Sequence, residues 1–134
     1  MLKRVSLMET SRADLGRRSE QLARTLLIEQ GYVIERTNVR VPVGEIDILA
    51  RDGNALCFIE VRSTRSTRWG GALASIGERK RQRLIRAAQW HLSRRPQAPE
   101  EIRFDVVAID WQERAIPRVE LVRGAFDATG PLRS

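Results

Sequence analysis

The tightest constraint on this chain is a turn signal, Asp52-Gly53-Asn54, set between two runs of strand-forming residues, Glu45 to Arg51 and Leu56 to Arg62. Side chains alternate faces along a strand, and a short turn of this kind joins two strands as an antiparallel hairpin. Glu45, Asp47 and Leu49 then share one face of the first strand, and Leu56, Phe58, Glu60 and Arg62 share one face of the second. With Gly53-Asn54 as the loop, Asp47 lies opposite Glu60 and Glu45 opposite Arg62. With Asp52-Gly53 as the loop, Asp47 and Glu60 are diagonal neighbours. Either register brings two carboxylates within roughly 5–8 Å.

The rest of the chain supplies what such a hairpin packs against. Leu15, Leu22, Ala23, Leu26 and Leu27 recur at helical spacing from about Asp14 to Gln30, with Gly31 as the stop. Tyr32 to Arg40 is rich in strand formers and is broken by Pro42 and Gly44. Ser63 to Ala74 reads as a loop. Ile76 to Ser93 reads as a second helix with Ile76, Lys80, Leu84, Ala87, Ala88 and Leu92 on one stripe. Ile102 to Asp110 and Arg118 to Val122 complete the strands, and the segment from Gly124 reads as a tail, with Phe126 as its anchor. The order α-β-β-β-α-β-β implies a three-layer α/β/α sandwich with a mixed central sheet. Residues 1–11 read as a polar leader, 12–126 as one domain and 127–134 as a tail.

Composition narrows the chemistry. One histidine, His91, and one cysteine, Cys57, exclude a zinc finger, a disulfide framework and a His-rich metal site within one chain. Carboxylates, arginine and lysine remain. A net charge of +7 favours a polyanionic partner, nucleic acid first. Of the 24 basic residues only Lys3 and Lys80 are lysines, so a lysine on the core-facing stripe of a helix stands out. No apolar run reaches the ~18 residues of a membrane span, so no membrane partner is expected. With a single cysteine, a cytoplasmic location is the expectation.

Like charges that face each other across strands destabilise a sheet unless a cation compensates. Asp47 and Glu60, with a neighbouring backbone carbonyl and waters, suit Mg²⁺ or Mn²⁺, which prefer oxygen ligands. The alternative is that each carboxylate pairs with one of the many arginines at a wet sheet edge.

Gly44-Glu45-Ile46-Asp47 followed by Phe58-Ile59-Glu60-Val61-Arg62 resembles the core of PD-(D/E)XK nucleases, and the chain is identified as a member of the YraN-like family of bacterial proteins. The likeness runs over about residues 15–126 and includes Gly16, Glu20, Gly31-Tyr32, Asn38, Gly71, Lys80 and Arg103 to Val107. It implies a restriction-endonuclease-like fold and similarity to archaeal Holliday-junction resolvases, which work as dimers. By the same resemblance Glu20 stands for the helix carboxylate, Asp47 for the metal-binding aspartate and Glu60 for the acid of the Glu-x-Lys pair, while Val61 offers a ligating carbonyl. Arg62 departs from the pattern, because a guanidinium does not give up its proton near neutral pH. It can stabilise charge on a phosphate, and Lys80 is the substitute for the missing lysine. Otherwise Lys80 lays its stem over apolar surface, or neutralises Glu60 structurally.

Arg62, Arg65, Arg68 and Trp69 form a basic loop with an aromatic, suited to phosphates and to stacking on an unpaired base. Two functions follow. One is a metal-dependent, structure-selective DNA endonuclease with Asp47, Glu60, Lys80 and Arg62 in the catalytic site and Glu20 assisting the metal. The other is a nucleic-acid-binding module that does not cleave. A homodimer is expected by analogy.

Overall fold

The computed structural model describes residues 11–65, 71–112 and 116–128. Helix α1 spans Arg12–Glu29, followed by strands β1 (Val33–Val41), β2 (Gly44–Asp52) and β3 (Ala55–Thr64). Two helices, α2 (Gly71–Ala74) and α3 (Glu78–Ser93), lead to β4 (Glu101–Asp110) and β5 (Arg118–Phe126). The strands form one sheet in the order β1-β2-β3-β4-β5. Only β3 and β4 run parallel, as the helical crossover between them requires; the other pairs are antiparallel. The sheet is therefore mixed and covered on both faces, as the sequence implies.

Alternation along β3 divides the interior in two. Leu56 and Phe58 face α3, packing with Leu49, Leu84, Ala88 and Phe104. Cys57 and Ile59 face α1, packing with Leu27, Ile48, Val107 and Trp111. Phe104 bridges neighbouring strands, with ring centroids 5.8 Å from Phe58 and 5.1 Å from Phe126. Such ring pairs contribute about 0.5–1.5 kcal/mol each beyond their buried area.

Element ends differ from the sequence reading where a partner is remote or a local device is hidden. Helix α1 starts at Arg12, two residues early, because the Ser11 hydroxyl accepts a hydrogen bond from the Asp14 amide. Helix α3 starts at Glu78, and Ile76 lies outside it with its side chain buried. The short α2 falls inside the segment read as loop. Its first free amide, on Ala72, donates to Asp110 Oδ1 at 2.8 Å, a cap supplied from 38 residues away. Strand β5 runs on to Phe126 through Gly124, whose φ of +60° places it in a bulge instead of ending the strand. The leader (1–10), the residues from 129 onward and, of the basic loop, Arg68 and Trp69 lie outside the described residues.

One buried charge organises the hairpin end of the sheet. Asp105 is fully buried, and four donors reach its carboxylate: the Tyr32 hydroxyl at 2.6 Å, the Gly124 amide at 2.8 Å, and Arg103 through Nε at 2.8 Å and Nη2 at 3.0 Å. Arg103 Nη2 also donates to Asp52 at 2.7 Å, and Arg123 Nε joins it at 3.1 Å. Burial, then the hydrogen bond to Asp105, raises the Tyr32 hydroxyl well above its ordinary pKa. Burial, then the Asp105 charge, pushes the Cys57 thiol up to about 12, so it is an inert core group.

Removing one member of a satisfied buried pair leaves the other uncompensated. Asp105→Ala is expected to cost roughly 3–5 kcal/mol in urea denaturation. Gly71 has a φ of +85°, and a Cβ there would sit 3.0 Å from Asp110 Oδ1. Gly71→Ala is expected to cost roughly 1–2 kcal/mol, read as a lower thermal midpoint.

Candidate functional site

The hairpin register settles how the two carboxylates meet. Asp52 pairs with Ala55, Leu49 with Phe58 and Ile48 with Ile59, so Gly53-Asn54 is the two-residue loop, and continuing the register puts Asp47 opposite Glu60. The ladder ends at Ile48 and Ile59. One step further, the Asp47 carboxylate takes over the backbone's role, and its Oδ2 accepts from the Val61 amide at 2.9 Å. The N–H and C=O of a strand residue leave the chain on the same side, so the Val61 carbonyl also faces β2.

Glu60 sits on the central strand and is only 5% exposed. Its side chain lies on the α3 face with Phe58, where Lys80 from the first turn of α3 brings Nζ to 2.9 Å from Oε1. The lysine therefore reaches Glu60 at the wall of the cleft that both carboxylates line, with its stem half-buried. Asp47 is closely coupled to this pair. Burial raises its pKa most, the Glu60 charge adds to the rise, and the Val61 amide and Lys80 pull the other way; the result is pushed up to about 7. A carboxylate that titrates near neutrality beside a second carboxylate has too little positive charge nearby to keep both ionised.

A cleft of about 580 Å³ opens over these groups. Asp47, Glu60 and Lys80 line it, together with Arg40, Glu45 and Arg83. Its walls are the β1–β2 turn, through Pro42 and Val43, and the first turns of α3. Gly44 closes one end, where a Cβ would lie 3.3 Å from the Arg83 carbonyl oxygen.

The remaining candidates fall elsewhere. Glu20 does not line this cleft; it accepts from Asn38 Nδ2 at 2.5 Å on the α1 side of the sheet. Asn38 stands opposite Asp47 in the β1–β2 register and has a φ of +51°, a conformation asparagine tolerates better than most residues. Arg62 donates from Nε to Ser75 Oγ at 2.7 Å and, with Arg65, Arg12 and Trp111, lines a separate cavity of about 500 Å³. Among the described residues no group of three or more His, Cys, Asp or Glu side chains is arranged to hold a metal.

The donor set that is present still fits a hard cation. Asp47 and Glu60 supply two anionic oxygens, the Val61 carbonyl faces the same gap, and the raised pKa of Asp47 marks missing positive charge. Mg²⁺ characteristically takes one or two carboxylates and keeps several waters, so a third acidic ligand is not required. Sequence reasoning missed Arg40 and Arg83 as cleft residues. The signal available for Arg83 was its position three residues after Lys80, next to it on the helix surface; Arg40 is brought in only by the fold of the β1–β2 turn.

Residues 19–109, which contain Asp47, Glu60 and Lys80, match the uncharacterised protein family UPF0102. A UPF0102 protein of Desulfosudis oleivorans is 42% identical over 121 residues, covering 90% of this chain and 96% of that protein. One from Moorella thermoacetica is 44% identical over 121 residues, covering 89% of this chain and 100% of its own length. One from Pseudomonas aeruginosa is 43% identical over 122 residues, with coverage of 90% and 97%. Agreement this long, over nearly the full length of each relative, bears out the YraN-like membership expected from the motifs: the chain belongs to the uncharacterised protein family UPF0102.

Proposed function

We propose that this protein is a metal-dependent, structure-selective DNA endonuclease that hydrolyses phosphodiesters at the Asp47–Glu60–Lys80 cleft. The observation that carries this reading is the Lys80 ammonium at 2.9 Å from Glu60, beside a second carboxylate raised to about 7. It restores from a helix the acid-and-lysine pairing that Arg62 removes from the strand. Asp47 and Glu60 would hold Mg²⁺ or Mn²⁺, with the Val61 carbonyl as a further oxygen. Such a cation, when bound, supplies Lewis-acid polarisation of a phosphoryl oxygen and activation of water. Lys80 orients a water at the mouth of the cleft through its remaining N–H groups and donates to phosphate oxygens. Glu60 keeps the lysine in place. Arg62 takes no part as a base; its Nε donates to Ser75 Oγ.

A second reading, a DNA-binding module that does not cleave, is favoured by one observation: Arg62, at the position of the motif lysine, is turned onto Ser75 and lines a different cavity.

Cleavage of branched, flapped and single-stranded DNA with Mg²⁺ or Mn²⁺ separates the two. Asp47→Ala and Glu60→Ala are each expected to lower the rate by at least about 100-fold, and Lys80→Met by about 10²–10⁴-fold. Activity that survives both carboxylate substitutions would sink the nuclease assignment. No cleavage, combined with salt-dependent DNA binding that survives Asp47→Ala, favours the binding module.

The metal reading also predicts a pH signature. Asp47 holds its proton up to about 7 in the folded chain, against an ordinary value of 3.8. Between those values the folded state binds a proton that the unfolded state has lost, so stability falls as pH rises from about 4 to 7 and levels off above. Asp47→Asn removes this loss: above pH 7 the variant should melt roughly 5 °C higher than wild type, with the gap closing towards pH 4. Excess Mg²⁺ at pH 8 should raise the wild-type midpoint and leave that of Asp47→Asn unchanged.

A further inference from the structure

The positive surplus of this chain is distributed unevenly, and the pattern points at the cleft. At the hairpin end of the sheet four arginines have partners. Arg95 and Arg51 pair with Glu35 at 3.0 and 3.2 Å, and Arg103 and Arg123 pair with Asp52 at 2.7 and 3.1 Å. At the opposite end, where β1 leaves and β2 enters, Arg40 and Arg83 make no ion pair or hydrogen bond among the described residues, and both are exposed at the rim. Glu45 stands directly across from Arg40 in the register without closing an ion pair with it. Both line the cleft that holds the acidic pair, Arg40 from β1 and Arg83 from α3.

A free metal ion would need only the acidic floor and a small anion only the cations, so neither accounts for both. Together they suit an extended polyanion whose central phosphate approaches the floor and whose neighbours need neutralising. Among the described residues the cleft walls include no aromatic side chain to stack on a base, which favours recognition of the backbone, independent of sequence. We infer that Arg40 and Arg83 form a phosphate clamp that grips a nucleic-acid strand on either side of the phosphodiester presented to Asp47 and Glu60. This deepens the proposed function and rests on it only for the position of the reacting phosphate. Arg62 and Arg65 line a different cavity, so the clamp is a separate contact. Close packing of Gly44 on the Arg83 main chain ties the β1–β2 turn to α3 at the cleft.

The test is a binding measurement in EDTA, where no cleavage takes place. Fluorescence anisotropy with a labelled four-way DNA junction and with a matching single strand gives the slope of log K against log salt. Each phosphate contact contributes about one unit to that slope, so Arg40→Ala/Arg83→Ala should flatten it by about two with both probes. Arg24→Ala/Arg118→Ala removes the same charge from exposed positions outside the cleft and should leave the slope within about half a unit of wild type. Arg40→Lys/Arg83→Lys, which keeps the charge, should retain the slope and controls for folding. An unchanged slope in the alanine pair, an equal fall in the Arg24/Arg118 pair, or no binding by the wild type would overturn the clamp. Clamp-dependent binding with no cleavage in Mg²⁺ would instead overturn the endonuclease reading and leave the clamp standing.

Discussion

Glu60 is an acid on the central strand of a sheet covered on both faces, and its burial can be tolerated only because Lys80 reaches it. The ion pair ties α3 to β3 at the point where the β2–β3 ladder ends. It also fixes the electrostatics of everything nearby. Asp47 is left as the second, under-compensated carboxylate, and its attachment to the Val61 amide stops it from swinging away from Glu60. An isolated buried ion pair is weak evidence for stability, since the desolvation of two charges offsets most of their attraction. Here the surplus negative charge makes the arrangement more costly still, which is what supports reading it as a binding site in the function proposed above.

Asp105 offers a comparison within the same protein. It is more deeply buried than Asp47, yet it has four donors and an arginine bound through two nitrogens. One carboxylate is saturated by its surroundings and joins β4, β5 and the β1 entrance into one unit. The other is left short of positive charge at the edge of an open cleft. Burial alone therefore does not distinguish structural from functional acids; the number of unmet charges does.

The hairpin, both long helices, the mixed sheet and the juxtaposition of Asp47 with Glu60 were legible in the sequence. They depend on local signals: a two-residue turn, period-two alternation and a helical stripe. Lys80 was legible for the same reason, since it shares its stripe with Leu84 and Ala88. What was misread depends on remote partners. Helix α2 is capped by Asp110, and β5 passes through a bulge whose amide is taken by Asp105.

By itself the sequence determined which chemistry this chain can carry. With one histidine and one cysteine it leaves acids, arginines and a lysine, and the turn at Gly53-Asn54 puts two of those acids face to face. Only the tertiary structure decided which charges remain uncompensated. Pairing across elements depends on how the strand ends and helices are brought together in space, and that packing gives Glu35, Asp52 and Asp105 to the arginines of one end while leaving Arg40 and Arg83 beside the acidic pair at the other.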